Sequence, residues 1–252
     1  SAFSNFGGIL TMLLAGWLAT FGWRVPFNVY FLGLIIIILI FLFLPKGEIQ
    51  QPLQHERKAK VPLAVYGYAL AMGGIMLAYY SIATNMALYL EQNSLGGASL
   101  AGTVISFTTV GGMITSLLLV RIEMTFKNFV IPIMLFGMGM AFLILSFTNS
   151  ILLVLVSVCL IGFGQGALFP IIVLKALDRV APHQADRAVA LTSSFTFLGQ
   201  FLSPLILDGI GRIANQSTIR FQYGTLAVFI LLTVSITVFV ILRSKHRSSS
   251  AI

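Results

Sequence analysis

Eight long apolar stretches run along the chain, at about 3–21, 27–44, 63–90, 100–120, 129–147, 151–174, 189–210 and 221–242, with short polar breaks between them. Every stretch holds 18 or more residues. An α-helix needs about 20 apolar residues to cross a hydrocarbon core of ~30 Å, whereas a barrel strand needs only about 9–11. No water satisfies the backbone inside a bilayer, so each N–H and C=O must find its partner within the protein, and a helix supplies them all by itself. The pattern predicts an all-α membrane protein of eight transmembrane helices.

The longest polar break, 45–62, reads PKGEIQQPLQHERKAKVP, with three prolines, a basic cluster and no apolar periodicity. It is expected to be a cytoplasmic linker. Residues 1–44 would then be the last two helices of one bundle, 63–242 a second bundle of six, and 243–252 a tail. The basic cluster suits either a solvated loop or contact with anionic lipid. Lys and Arg are enriched in cytoplasmic loops close to span ends. Placing the C-terminus and the loops after spans two, four and six on one side gathers twelve of the 15 basic residues there. Only Arg24, Arg212 and Arg220 fall on the other side. The expected C-terminus is cytoplasmic.

Composition removes several alternatives. Apolar residues make up 58% and charged residues 9%, against roughly half and a quarter in soluble domains. The formal charge of +8 sits between the spans, so it reads as membrane topology and not as a nucleic-acid surface. The single cysteine, Cys159, lies within the sixth stretch and permits no intrachain disulfide. His55, His183 and His246 occupy polar breaks without metal-ligand spacing, and no Gly-rich loop ends in Lys-Ser or Lys-Thr. No enzyme constellation, metal or other cofactor is expected. The opening SAFSNFGGIL has no basic n-region and is not a signal peptide. The chain is expected to start within a longer protein.

SFTTVG at 106–111 recurs as SFTFLG at 194–199, an offset of 88 that also joins Gly74 to Gly162 and Leu117 to Leu205. Either two Phe- and Thr-rich helices coincide, or spans three to five are copied as spans six to eight. Three being odd, the second copy would enter the membrane from the opposite side, as in inverted-repeat transporters.

Three segments carry a resemblance: AGWLATFGWRVPF at 15–27, GFGQGALFP at 162–170 and LGQFLSP at 198–204. With the topology, they resemble the major facilitator superfamily, in which two six-helix bundles are joined by a long cytoplasmic loop. Spans one and two are similar to the family's fifth and sixth helices, and spans three to eight to its whole C-terminal bundle. Drug–proton antiporters of the family carry G-x-x-x-G-P-x-x-G-G in the fifth helix. Here Gly7 and Gly16 match, but Thr11 and Met12 replace the Gly-Pro pair and Ala15 one later glycine, so that signature is degraded. VRIEMTFKN at 120–128 stands where the family has a charged loop, with Arg121, Glu123 and Lys127 as possible remnants. Gly162 and Gly166 make a small-xxx-small pair for close helix approach, and Pro170 and Pro204 predict bends.

The resemblance implies a secondary transporter in a bacterial plasma membrane, exporting small organic molecules by alternating access and coupled to protons. Its implied partners are the small-molecule substrate, membrane lipid and the family's first four helices, without which the chain is not expected to transport. A metabolite or siderophore exporter, an importer, or a non-transporting scaffold remain open. The expected substrate cavity is lined by Tyr79, Tyr80 and Asn85 in span three, Phe107 and Thr108 in span four, Gln165 and Phe169 in span six, and Phe195, Phe197 and Gln200 in span seven. Amides and phenols supply hydrogen bonds there, and rings supply stacking and cation–π contact. Spans five and eight are expected to face mainly lipid. Glu91 and Asp208 fall near outer span ends as interfacial anchors, and Arg212, one turn beyond Asp208, is placed to pair with it.

Overall fold

The computed structural model describes residues 2–22, 24–43 and 61–249. Eight α-helices follow in order: α1 (Ala2–Ala19), α2 (Phe31–Phe43), α3 (Leu63–Gln92), α4 (Ala98–Phe126), α5 (Val130–Phe147), α6 (Ile151–Leu177), α7 (Ala185–Ile213) and α8 (Ile219–Ser249). No strand occurs among the described residues. The linker's basic cluster, His55 and the end of the tail lie outside them.

Seven helices are long and apolar enough to cross a membrane. Helix α1, 18 residues long, carries the shorter apolar run Phe6–Ala19, and just past it the chain turns at Gly22 in a left-handed conformation (φ 144°) ahead of a 3-10 turn at Val25–Tyr30. Helices α3, α4, α6, α7 and α8 outrun the apolar stretches. Helix α4 continues through Arg121 and Glu123, so the loop expected at 120–128 shrinks to one 3-10 turn, Lys127–Phe129. Hydropathy marks only the hydrocarbon slab, whereas i→i−4 bonding continues into the polar interface wherever nothing interrupts it. Helices α3 and α7 stop alike. Ser94 and Asn215 are left-handed, and the next amides, Leu95 and Gln216, bond back to Leu90 O and Gly211 O, closing each helix with a Schellman turn.

Helix α3 packs on α7, α4 on α6, and α5 on both α6 and α8. A two-fold axis that exchanges α3 with α6 and α4 with α7 converts the first pair into the second and keeps α5·α8 as a pair. That is the arrangement an inverted three-helix repeat requires. The two copies of the repeated hexapeptide do the same work: Gly111 sits against the backbone of Cys159 and Phe163 on α6, and Gly199 against the backbone of Gly73 on α3. The match of Gly74 with Gly162 is one residue out of register. Gly73 and Gly162 are the seam glycines, facing the backbones of Phe195 and Thr108, while Gly74 faces open space. Gly166 lies on the Gly112 backbone, so the small-xxx-small reading of α6 holds. Pro170 and Pro204 lie inside continuous helices.

One core runs through α3 to α8, with Met72, Met86, Tyr89, Phe142 and Tyr223 among its fully buried members. Helix α5 departs from its expected lipid-facing role: ten of its 18 residues are buried. It is the shortest of the six and is wedged between α6 and α8. Helix α1 lies on α4, with Gly16 beside Gly102 and Gly8 beside the Thr109 methyl. No residue of α2 is buried.

Candidate functional site

Near the middle of the bundle, the Tyr79 hydroxyl of α3 donates to Thr108 Oγ1 of α4 at 3.3 Å, and Thr108 donates in turn to Ile105 O at 2.7 Å. Thr108 is 2% exposed, and its backbone is the seat of Gly162 on α6. Gln165 follows Gly162 by one turn, about 4.5 Å further along α6 than the contact with Thr108. Gln165 and Gln200 are half-buried, and among the described residues neither side chain makes a hydrogen bond. Phe107 packs on the core. Phe195 lies along Gly73 at the α3–α7 seam.

Three candidate rings point out of the bundle: Tyr80, Phe169 and Phe197 are 37%, 40% and 68% exposed. Phe197 lies on the side of α7 opposite the stripe that packs on α3, whose buried members include Thr192, Thr196, Gly199 and Ser203. Asn85 is directed elsewhere. Its Nδ2 donates to Gln222 Oε1 of α8 at 2.7 Å, and Gln222 Nε2 donates to Asp208 Oδ1 of α7 at 3.0 Å. Gln222 is 4% exposed and both ends of its amide are used. Asp208 therefore takes its hydrogen bond from α8, and among the described residues it forms no ion pair with Arg212. An exposed i,i+4 pair is worth only about 0.3–0.5 kcal/mol, less than a bond from a buried amide to a carboxylate. Asp208 and Arg212 instead line a shallow polar pocket of about 380 Å³ with Asn215, Gln216 and Ser217. Glu91 is exposed one residue before the end of α3.

Gln222 belongs to a group of residues the sequence reading passed over. Tyr89 donates to Leu145 O at 2.8 Å and stacks at a tilt on the buried Tyr223 ring, centroids 5.3 Å apart. Arg220 donates to Thr148 O at 2.6 Å and to Asn149 Oδ1. Ile219 N donates to Gln92 Oε1 at 3.0 Å. These bonds fasten the start of α8 to α3, α7 and the α5–α6 turn. The signal was the polar opening of the eighth span, IRFQYG at 219–224, hidden by the apolar run that follows.

A bundle of paired, inversely related helices, with sparse amides and phenols at mid-depth and no clustered metal ligands among the described residues, defines a helical membrane protein of transporter architecture. The model of the Major Facilitator Superfamily matches the chain twice, over residues 1–204 and 77–250. The chain belongs to that superfamily. A search of curated proteins gives no match.

Proposed function

We propose that this secondary transporter exports small amphipathic organic molecules by alternating access, and that Tyr79, Thr108 and Gln165 belong to its substrate site. The observation that carries the reading is the half-buried amide of Gln165, one turn along α6 from the contact of Gly162 with Thr108, with no hydrogen-bond partner among the described residues. A measured interhelical hydrogen bond in a membrane averages only ~0.6 kcal/mol, so packing gives little reason to keep an unpaired amide there. In the central cavity that the family's fold implies, an amide with a free donor and a free acceptor suits a ligand with mixed apolar and polar surface. The exposed rings of Tyr80, Phe169 and Phe197 would face that cavity once the family's other helices are in place. No Asp, Glu, His, Lys or Arg lies at mid-span in α3 to α8, so the coupling proton would be carried elsewhere in the complete protein.

The test is efflux of a panel of fluorescent dyes and cationic drugs by the full-length protein and by Gln165→Leu and Tyr79→Phe. The expected result is normal insertion with altered affinity or range. Unchanged kinetics for every compound from both well-expressed variants would remove these residues from the site. Dissipating the proton gradient should stop export, and import under the same gradient would reverse the proposed direction. The same reading places the C-terminus in the cytoplasm, so a cysteine introduced at position 217 should react with an impermeant reagent from outside intact cells, and one at 127 should not.

A further inference from the structure

The six-helix bundle is fastened unevenly. The first turns of α8 are bonded to other helices at Ile219, Arg220 and Gln222. Further along, Thr225, Thr233, Ser235 and Thr237 bond only to carbonyls of their own helix. Where that fastening ends, a cleft of about 970 Å³ opens between α3, α5, α7 and α8. It extends along α3 from Ala64 to Ala78, about 21 Å at 1.5 Å per residue, which exceeds the half-thickness of a ~30 Å core. Its lining is aliphatic and aromatic, and the threonine hydroxyls in it are already satisfied within α8. An occupant thus meets almost no free polar atom along this length.

Its one charged lining residue is Arg179, just past the end of α6. The starts of α3 and α7 and the end of α6 meet there, through Val65, Ala176 and Ala188. The guanidinium is exposed and makes no ion pair among the described residues. No carboxylate lines the cleft.

From this juxtaposition, a long apolar cleft capped at one end by an unpaired guanidinium, we infer that the cleft is a binding site for an anionic phospholipid, with acyl chain along α3 and phosphate on Arg179. The occupant comes from the leaflet at the Arg179 end, whichever side of the membrane that is. The site lies within the bundle's own helices and does not depend on the proposed substrate or direction of transport.

The full-length protein, delipidated in detergent, would be titrated with phosphatidylglycerol and separately with phosphatidylcholine, and bound lipid counted by native mass spectrometry. Wild type should retain phosphatidylglycerol preferentially. Arg179→Gln should weaken phosphatidylglycerol by about five-fold, the factor one basic side chain contributes at an anionic surface, while leaving phosphatidylcholine unchanged and Arg179→Lys close to wild type. Gly74 lines the cleft with nothing within 4 Å of a built Cβ, so Gly74→Phe should fold and displace both lipids. Equal phosphatidylglycerol affinity in wild type, Arg179→Gln and Gly74→Phe would overturn the site. Loss of both lipids in Gly74→Phe with no effect of Arg179→Gln would make the occupant a neutral chain and overturn the anionic assignment. A cross-link from a cysteine at position 74 to the 45–60 linker, with no lipid retained, would replace lipid by the protein's own chain.

Discussion

Gly162→Ala and Gly74→Ala are the same substitution in mid-helix, and the packing predicts opposite signs for them. In a helix, alanine is favoured over glycine by roughly 0.5–1 kcal/mol because less backbone entropy is lost. At Gly74 nothing lies within 4 Å of the added methyl, so that gain should appear. At Gly162 the methyl would lie less than 3.0 Å from the Thr108 carbonyl, and neither partner is a flexible side chain. Helices α4 and α6 must separate, which overpacking data put at about 1–3 kcal/mol. The Thr115–Phe163 bond on the same seam, 2.8 Å long, would stretch with them. That adds about 0.5–1.5 kcal/mol. The net expectation is a loss of about 1–3 kcal/mol at Gly162, or roughly 2–4 °C of Tm per kcal/mol for a unit of this size. Gly111→Ala lies on the same seam, so the double variant should cost less than the sum, the first methyl having already parted the helices. The assay is thermal unfolding of the full-length protein in detergent, followed by size-exclusion chromatography. A Tm that rises equally in Gly162→Ala and Gly74→Ala would refute the close seam.

Gln222→Leu should destabilise the bundle by about 1 kcal/mol, since it removes two interhelical bonds and leaves the half-buried Asn85 without its partner; scanning calorimetry would show it, and a Tm within error of wild type would mean that the Asn85–Gln222–Asp208 chain contributes nothing. Lys127 holds φ 46° and ψ −117°, a conformation that a Cβ disfavours, so Lys127→Gly should raise stability by about 1 kcal/mol, and a lowered Tm would show that the strain is absent in solution.

Span number and order were legible because a bilayer demands long apolar runs and the short breaks are polar. The seven clear spans sit within a few residues of the stretches read from hydropathy, and errors concentrate at polar interfaces, as at Arg121 and Ser249, where hydrophobicity falls but the helix does not stop. The repeat was legible at Gly111 and Gly199, whose tight backbone contacts tolerate only glycine, but slipped by one at Gly73, where two adjacent glycines look alike in sequence and only one faces α7. The candidate cavity was read less well. Depth along a span can be counted, but in uniformly apolar helices rotation about the axis leaves no periodic trace, so Asn85 and Gln200 looked equivalent although one is engaged by α8 and the other carries no bond. The α8 anchor at Arg220, Gln222 and Tyr223 escaped because most of its partners, such as Thr148, Asn85 and Tyr89, lie far away in sequence.

Inside the bundle the helices are joined by close backbone seams and by bonds such as Ser203 to Leu77 O at 2.7 Å. At the meeting of α1 with α4, a methyl added at Gly16 would lie 3.8 Å from Gly102 Cα and one added at Gly8 would lie 3.5 Å from the Thr109 methyl. These are ordinary van der Waals separations between smooth surfaces, not interlocked ones. A smooth contact opens and slides at small cost, so relative motion of two halves would be taken up there while the seams of α3·α7 and α4·α6 keep the bundle rigid. A bulky residue at Gly16 tests this. Gly16→Phe should hold α1 and α4 apart without touching the bundle core, leaving thermal stability near wild type while transport by the full-length protein falls at least ten-fold. Impermeant labelling of a cysteine at position 103 would report whether accessibility on this face is then fixed in one state. If Gly16→Phe transports at the wild-type rate and position 103 still changes accessibility with substrate, the α1–α4 contact is not where the halves move.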